Sequence, residues 1–243
     1  MKATRKIAGA ILSLEKRLGD VPPWIGVRLY MARVDPHLIY GCEVVLDENP
    51  NLVTELEEVQ LTTLRRILQT SNCSMIAPLF SETGILPIRY RCAQLARRYL
   101  LYLLEAEPPI PRKALTESQT IAHDDKTCWL TDLWHVLRNL PVPVLFNYHA
   151  DLTPEYVSTV LKNVDIAARF YVRNMIMKNT RLPLLRARLD QMGNDAPPKY
   201  YTLLFRHYLK VTDPAHKFAI TRLLIGGHPF AVERLGDGDP SNS

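Results

Sequence analysis

The signatures of several common enzyme classes are missing from the 243 residues. There is no phosphate-cradling G-x-x-x-x-G-K-[ST] loop and no G-x-G-x-x-G dinucleotide turn. There is also no G-x-S-x-G nucleophile elbow and no H-E-x-x-H zinc helix. Cysteine is sparse: Cys42, Cys73, Cys92 and Cys128 lie far apart, with no C-x-x-C pair and no Cys/His spacing suited to zinc. That excludes a disulfide framework and leaves four buried or reduced thiols as the expectation. No apolar run is long enough to span a bilayer. The basic start, Met1 to Asp20, has only a short apolar patch, Ile7 to Leu14, cut off by Glu15, Lys16 and Arg17. A secretory leader would continue apolar, so an amphipathic helix and an intracellular chain are expected. Neither a cofactor nor a membrane partner is implied.

What is present is helical periodicity. Hydrophobic residues make up 47% and charged residues 23%, the balance of a globular chain with a sizeable core. Apolar stripes at helical spacing predict helices over Trp24–Met31, Asn51–Gln69, Pro87–Ala106, Asp125–Leu140 and Thr153–Asn179. Two shorter helices are expected over Lys199–Lys210 and Pro214–Ile225. Thr153-Pro154 reads as a helix start, and Pro183 as a stop or kink. The helix from Pro87 is apolar on most sides and should be central. "EPPIPRK", Glu107 to Lys113, is the clearest boundary. The expected architecture is all-α, a multi-helix bundle in two packed subregions. The divisions are 1–107, a Pro-rich linker at 108–113, a second helical region at 114–235 and a polar tail at 236–243.

Candidate chemistry is thin. In Arg33 to Val44, Asp35, His37, Tyr40, Cys42 and Glu43 crowd together. Glu43 beside Cys42 would oppose thiolate formation, however, and nothing brings His37 to it as a base. The expected role is structural, with Leu38, Ile39 and Tyr40 docking into a core and Gly41 allowing close approach. Asp124-Asp125 has the look of a two-metal pair but lies between His123 and Lys126 rather than apolar strands, so a solvated loop or cap is expected. Gly226-Gly227 reads as a C-cap, and His228 has no sequence partner. Basic residues are more informative. The net charge is +5 and the isoelectric point near 9.0, which permits a polyanionic partner. Lys162, Arg169 and Arg173 share one helix face, opposite Val157, Val160, Leu161, Val164, Ala168, Tyr171 and Met175. No acid occurs from Ile166 to Leu189, while Arg169, Arg173, Lys178, Arg181, Arg186 and Arg188 accumulate. A second group is Arg89, Arg91, Arg97 and Arg98. Such stripes can hold a phosphate backbone, or can simply be solvated faces.

Three segments carry a family likeness. Pro36, Leu38, Tyr40, Gly41 and Glu43 fit a P-x-L-x-Y-G-x-E segment. Leu56, Gln60, Leu64, Arg65, Ile67 and Leu68 fit L-x-x-x-Q-x-x-x-L-R-x-I-L. Leu79, Glu82, Gly84, Ile85, Pro87 and Arg91 fit L-x-x-E-x-G-I-x-P-x-x-x-R. In this order they resemble the region after the catalytic palm of fungal LINE-like (non-LTR) reverse transcriptases, and Ala215 to Leu235 resembles a segment that precedes a zinc knuckle there. The resemblance implies a thumb plus C-terminal helical region without the palm, whose catalytic carboxylates would lie outside this chain. Asp124-Asp125 cannot replace them. It implies no polymerisation by this chain, and a template–primer or target backbone of RNA or DNA as partner, with the palm domain as a second. The expected phosphate contacts are Arg65, Arg66, Arg89, Arg91, Arg97 and Arg98 on the thumb helices and Lys162, Arg169 and Arg173 beyond them. The rival expectation is a helical relic or protein-interaction module. Binding requires the arginines to share an exposed surface. The rival requires scattered or paired arginines and an uncovered apolar patch near Tyr30 to Val44.

Overall fold

The computed structural model describes residues 9, 21–46, 50–191, 197–211 and 213–224. Among these residues the protein is all-α, and β pairing is limited to one antiparallel bridge, Asp190 with Lys199. The helices are α1 (Pro23–Leu29), α2 (Asp35–Leu38), α3 (Pro50–Ile67), α4 (Ile76–Thr83) and α5 (Ile88–Glu105), then α6 (Pro109–His123), α7 (Trp129–Arg138), α8 (Pro154–Met177), α9 (Pro183–Ala187) and α10 (Pro214–Leu224). A π turn, Tyr30–Val34, joins α1 to α2, and a 3-10 turn, His207–Lys210, precedes α10. None of the described helices is long and apolar enough to cross a membrane.

The long α5 and α8 form the centre, with the most extensive helix–helix contact among the described residues. On α5 the spacing Tyr90, Ala93, Arg97, Leu100, Leu104 alternates three and four residues, and all five are buried. On α8, Val157, Val160, Val164, Ala168, Val172 and Ile176 face inward at the same kind of spacing. α3, α6 and α7 pack on α5, and α4 packs on α8 and α3. Both subregions feed one continuous core, from Tyr30 and Leu64 to Leu133 and Leu185.

Prolines start many of the helices, because the first turn has N–H groups without intrahelical partners and proline lacks one anyway. Thr153 caps α8, its hydroxyl accepting from the Tyr156 N–H at 3.2 Å. This start agrees with the sequence expectation, but elsewhere the boundaries shift. The expected linker at 108–113 is helical from Pro109 onward, with Pro108 as the cap. Proline pairs there act as a helix start instead of a spacer. Helix α7 begins at Trp129, not Asp125. Asp125 adopts a φ of +56°, and Cys128 caps the helix with Thr131, whose Oγ1 accepts from the Cys128 N–H at 2.8 Å. The expected helix over Lys199–Lys210 is extended up to Arg206, since its backbone pairs with α4 and residue 190 rather than with itself. The expected amphipathic helix in Met1 to Asp20 (apart from Gly9), the Gly226-Gly227 cap, His228 and the tail at 236–243 lie outside the described residues.

Candidate nucleic-acid interface

The three segments that carry the motifs are tied to one another inside the protein, through residues that flank the motif positions. Gln60, with no exposed surface, donates from Nε2 to the Tyr30 hydroxyl at 3.0 Å and to the Leu86 carbonyl at 2.9 Å. Its Oε1 accepts from the Ile88 N–H at 2.9 Å, satisfying a first-turn donor of α5. Asp35, buried on α2, accepts from Arg91 Nε and Nη2, both at 3.3 Å. Burial raises the Asp35 pKa, and Arg91 pulls only part of the way back.

Glu82 is fully buried on α4. It accepts from Ser81 Oγ at 3.0 Å and from Arg188 Nη1 at 2.9 Å. Burial alone would lower the Arg188 pKa, but the hydrogen bond and charge of Glu82, with Asp190 beyond, raise it instead. Arg206 donates to Asp190 Oδ1 at 2.9 Å, so two arginines and two carboxylates form a balanced cluster. Gly84 ends α4 at a φ of +72°, and a Cβ there would stand 2.8 Å from the Phe205 N. The chain at 204–206 crosses at that point, donating from Leu204 N to Ser81 O and from Arg206 N to Glu82 O. The E-x-G of the motif therefore fixes a remote segment onto α4. Sequence reading missed the partners, Arg188, Asp190 and Arg206, because they lie more than a hundred residues away. A legible signal was Glu82 itself, the one charged residue in a short, mostly apolar helix.

This packing divides the nominated cations. Arg97 is fully buried at the α5–α8 contact, its Nη2 donating to the Val157 carbonyl at 2.6 Å. Its Nε and Nη1 have no partner, and burial pushes its pKa down to about 9, with Tyr156 and Asp165 pulling upward. It cannot touch a phosphate backbone. Arg89 is engaged by Glu57, at 2.6 Å from Nε and 3.1 Å from Nη2, and the hydrogen bond to Glu57 raises its pKa despite partial burial. Arg91 is engaged by Asp35 and by Gln94 Oε1 at 3.1 Å. The expected thumb stripe Arg89–Arg91–Arg97–Arg98 is thus corrected: three of its members hold the fold, and only Arg98 is exposed. On α3, Arg65 is half-buried and Arg66 exposed.

The α8 group is different. Lys162, Arg169 and Arg173 are exposed, and Ile166 (62%) and Phe170 (52%) stand out between them. Among the described residues none of the three cations is ion-paired to a carboxylate. Arg169 donates from Nη1 to the Thr202 carbonyl at 2.8 Å, and Thr202 Oγ1 donates back to the Arg169 carbonyl at 3.2 Å. The Arg173 guanidinium lies 5.0 Å from the Tyr200 ring centroid. These contacts orient the two arginines without neutralising them. At 1.5 Å per residue the cations span about 16 Å of helix axis, the length of about five phosphates at 3.4 Å per strand. Of the remaining basic residues in the acid-free run, Lys178, Arg181 and Arg186 are exposed, whereas Arg188 is consumed inside.

The other nominated features are solvated or local. Asp124 pairs with exposed Lys126 at 3.1 Å, and Asp125 lies 4.0 Å from His149 Nε2. Among the described residues no group of three His, Cys, Asp or Glu is placed to hold a metal ion. His37 is exposed, and the Cys42 thiol faces the Leu38 carbonyl and Cys92. Leu38 is buried as expected, but Tyr40 is not docked: it is 91% exposed. Gly41, at a φ of +79°, has open space around it and serves the turn, not a close approach. Val45 (73%) and Val44 (54%) are exposed on the same turn, beside an open cleft of about 410 Å³ between the turn and Leu95, Arg98 and Tyr99 of α5. Comparison of the chain with known protein families, curated proteins and solved structures found no match.

Proposed function

We propose that the protein is a non-catalytic helical module that binds a nucleic-acid backbone through the outer face of α8. The observation that carries this reading is the stripe Lys162, Ile166, Arg169, Phe170, Arg173: exposed cations without carboxylate partners among the described residues, interleaved with an exposed aromatic ring. Cations neutralise phosphates and release counterions, and an aromatic face can stack a base whatever its identity. Contacts of this kind carry little sequence information. In the reverse-transcriptase-like reading, a template, primer or target strand lies along α8, and chemistry belongs to a separate catalytic domain. The thumb arginines then act indirectly, by holding α2, α3 and α5 in register.

The test is fluorescence-anisotropy titration of the full chain against labelled single-stranded RNA, DNA and an RNA–DNA hybrid over a range of salt. Three phosphate contacts predict a slope of log K against log salt of about −2 to −2.7. Folded protein that fails to bind any of these at low salt overturns the proposal.

A second reading rests on Tyr40, Val44 and Val45, exposed together on one turn. Such a cluster on an ordered turn suits a protein partner, in the reverse-transcriptase-like reading the palm domain. Together with the engaged Arg89, Arg91 and Arg97, it matches what an interaction module requires. Tyr40→Ser with Val45→Ser should weaken that association and leave the anisotropy titration unchanged.

A further inference from the structure

We propose that the extended segment Tyr200–Thr202 is a positioning element of the α8 interface, holding Arg173 and Arg169 in the orientation in which a phosphate backbone meets them. The inference rests on the backbone-binding reading of α8 and assigns a role in it to residues outside that helix. Arg169 and Arg173 are four residues apart on one helix face, an advance of about 6 Å. Residues 200 and 202 of an extended chain share a face and advance about 6.7 Å. The two spacings match, so each arginine has its own partner. The Arg173 guanidinium lies 5.0 Å from the Tyr200 ring centroid, and Arg169 Nη1 donates to the Thr202 carbonyl at 2.8 Å. Thr202 Oγ1 donates to the Arg169 carbonyl at 3.2 Å, which ties the segment to the helix backbone itself.

The segment is fixed at both ends. On one side Asp190 and Lys199 exchange backbone hydrogen bonds at 2.8 and 2.9 Å. On the other, Leu204 N and Arg206 N donate to the Ser81 and Glu82 carbonyls of α4, beside the cluster of Glu82, Arg188, Asp190 and Arg206. Tyr200 reaches from that cluster to the stripe. Burial raises its pKa, while Arg188 lowers it, Glu82 raises it and Arg173 lowers it. Its hydroxyl is buried and has no hydrogen-bond partner among the described residues, so the ring and not the hydroxyl meets Arg173. A loose arginine loses rotamer freedom when a phosphate fixes it. One that is already ordered loses less, a gain of about two- to tenfold in affinity per side chain. The ring and the carbonyl supply that order without neutralising the charge. A carboxylate in their place would compete with the phosphate.

The experiment is a double-mutant cycle in the full chain, read by fluorescence anisotropy with labelled single-stranded RNA. Tyr200→Leu should weaken binding about two- to tenfold, and Tyr200→Phe should bind like wild type. In an Arg173→Ala background Tyr200→Leu should have no further effect, since the side chain it orients is gone. In a Lys162→Ala background its full effect should remain, since Lys162 stands about 16 Å from Arg173 along the helix. Thr202→Val with Arg169→Ala repeats the cycle at the other arginine and decides the matter if Tyr200→Leu does not fold. Wild-type binding with Tyr200→Leu equally tight, additive losses in the Arg173→Ala background, or a Tyr200→Phe variant as weak as Tyr200→Leu overturns the inference and leaves the backbone reading standing. A wild-type chain that does not bind overturns the backbone reading and this inference with it.

Discussion

Gln60→Ala is expected to be among the most damaging polar substitutions in this protein. The wild-type amide makes three hydrogen bonds where no solvent reaches, to Tyr30 Oη, Leu86 O and Ile88 N. Alanine removes all three and leaves a hole. The Ile88 N–H is the costliest loss, since it belongs to the first turn of α5 and has no other acceptor in the helix; an orphaned buried donor costs about 1–3 kcal/mol. The Leu86 carbonyl adds a similar or smaller penalty. Tyr30 Oη loses a donor, though its own hydroxyl hydrogen can turn. The cavity left by the missing atoms adds about 1 kcal/mol. The sum is about 3–5 kcal/mol, a large share of the roughly 5–15 kcal/mol by which domains of this kind are stable. Urea denaturation followed by circular dichroism measures it, with Gln60→Leu as companion. Leucine fills the space without accepting from Ile88 and should cost about 2–3 kcal/mol. A loss below about 1 kcal/mol for alanine would refute the claim that this amide ties the Tyr30–Val34 turn, α3 and α5 together.

Gly84→Ala should lose about 2–4 kcal/mol, from a strained positive φ and a Cβ placed 2.8 Å from the Phe205 N, and hydrogen exchange should show 199–210 released before the core. Arg97→Met should be neutral or stabilising by about 1–3 kcal/mol in the same urea assay, because it replaces a buried charge with two unpaired nitrogens by an apolar side chain of similar reach. Asp35 gives a pH test. Its folded pKa is raised, so its stabilising contribution is complete below the unfolded value of about 3.9 and is lost as pH rises through the folded pKa. The advantage of wild type over Asp35→Asn should therefore shrink between acid and neutral pH, as read by denaturation at several pH values. A growing advantage would mean that the Arg91 ion pair outweighs burial. Phe170→Ala should weaken single-stranded binding by about 1–3 kcal/mol per stacked base without changing the salt slope.

The all-α class, α3, α5 and α8 and the inward face of α8 were legible because each is a long stripe at helical spacing with a proline or a hydroxyl cap at its start. The exposure of Lys162, Arg169 and Arg173 was legible for the same reason. Arg97 was misjudged because charge was read ahead of position. It occupies the place between Ala93 and Leu100 where the three-four alternation demands a core residue. Arg89 and Arg91 were misjudged because their partners, Glu57 and Asp35, lie on other helices, and no local pattern records a pairing across more than thirty residues. The extended 199–206 segment was read as helix because its Tyr, Leu and Phe spacing is compatible with either period. What decides it is the α4 backbone, opened to it by Gly84. The closeness of Cys42 and Cys92 had no sequence signal at all.

The most direct test of the account compares two double variants in the anisotropy titration. Lys162→Ala with Arg173→Ala removes two cations from the α8 face, and Arg66→Ala with Arg98→Ala removes two exposed cations from α3 and α5. The account predicts that the first pair flattens the salt slope by about 1.4–1.8 and that the second leaves it unchanged. An unchanged slope for the first pair, or a larger loss for the second, would contradict it and return the interface to α3 and α5.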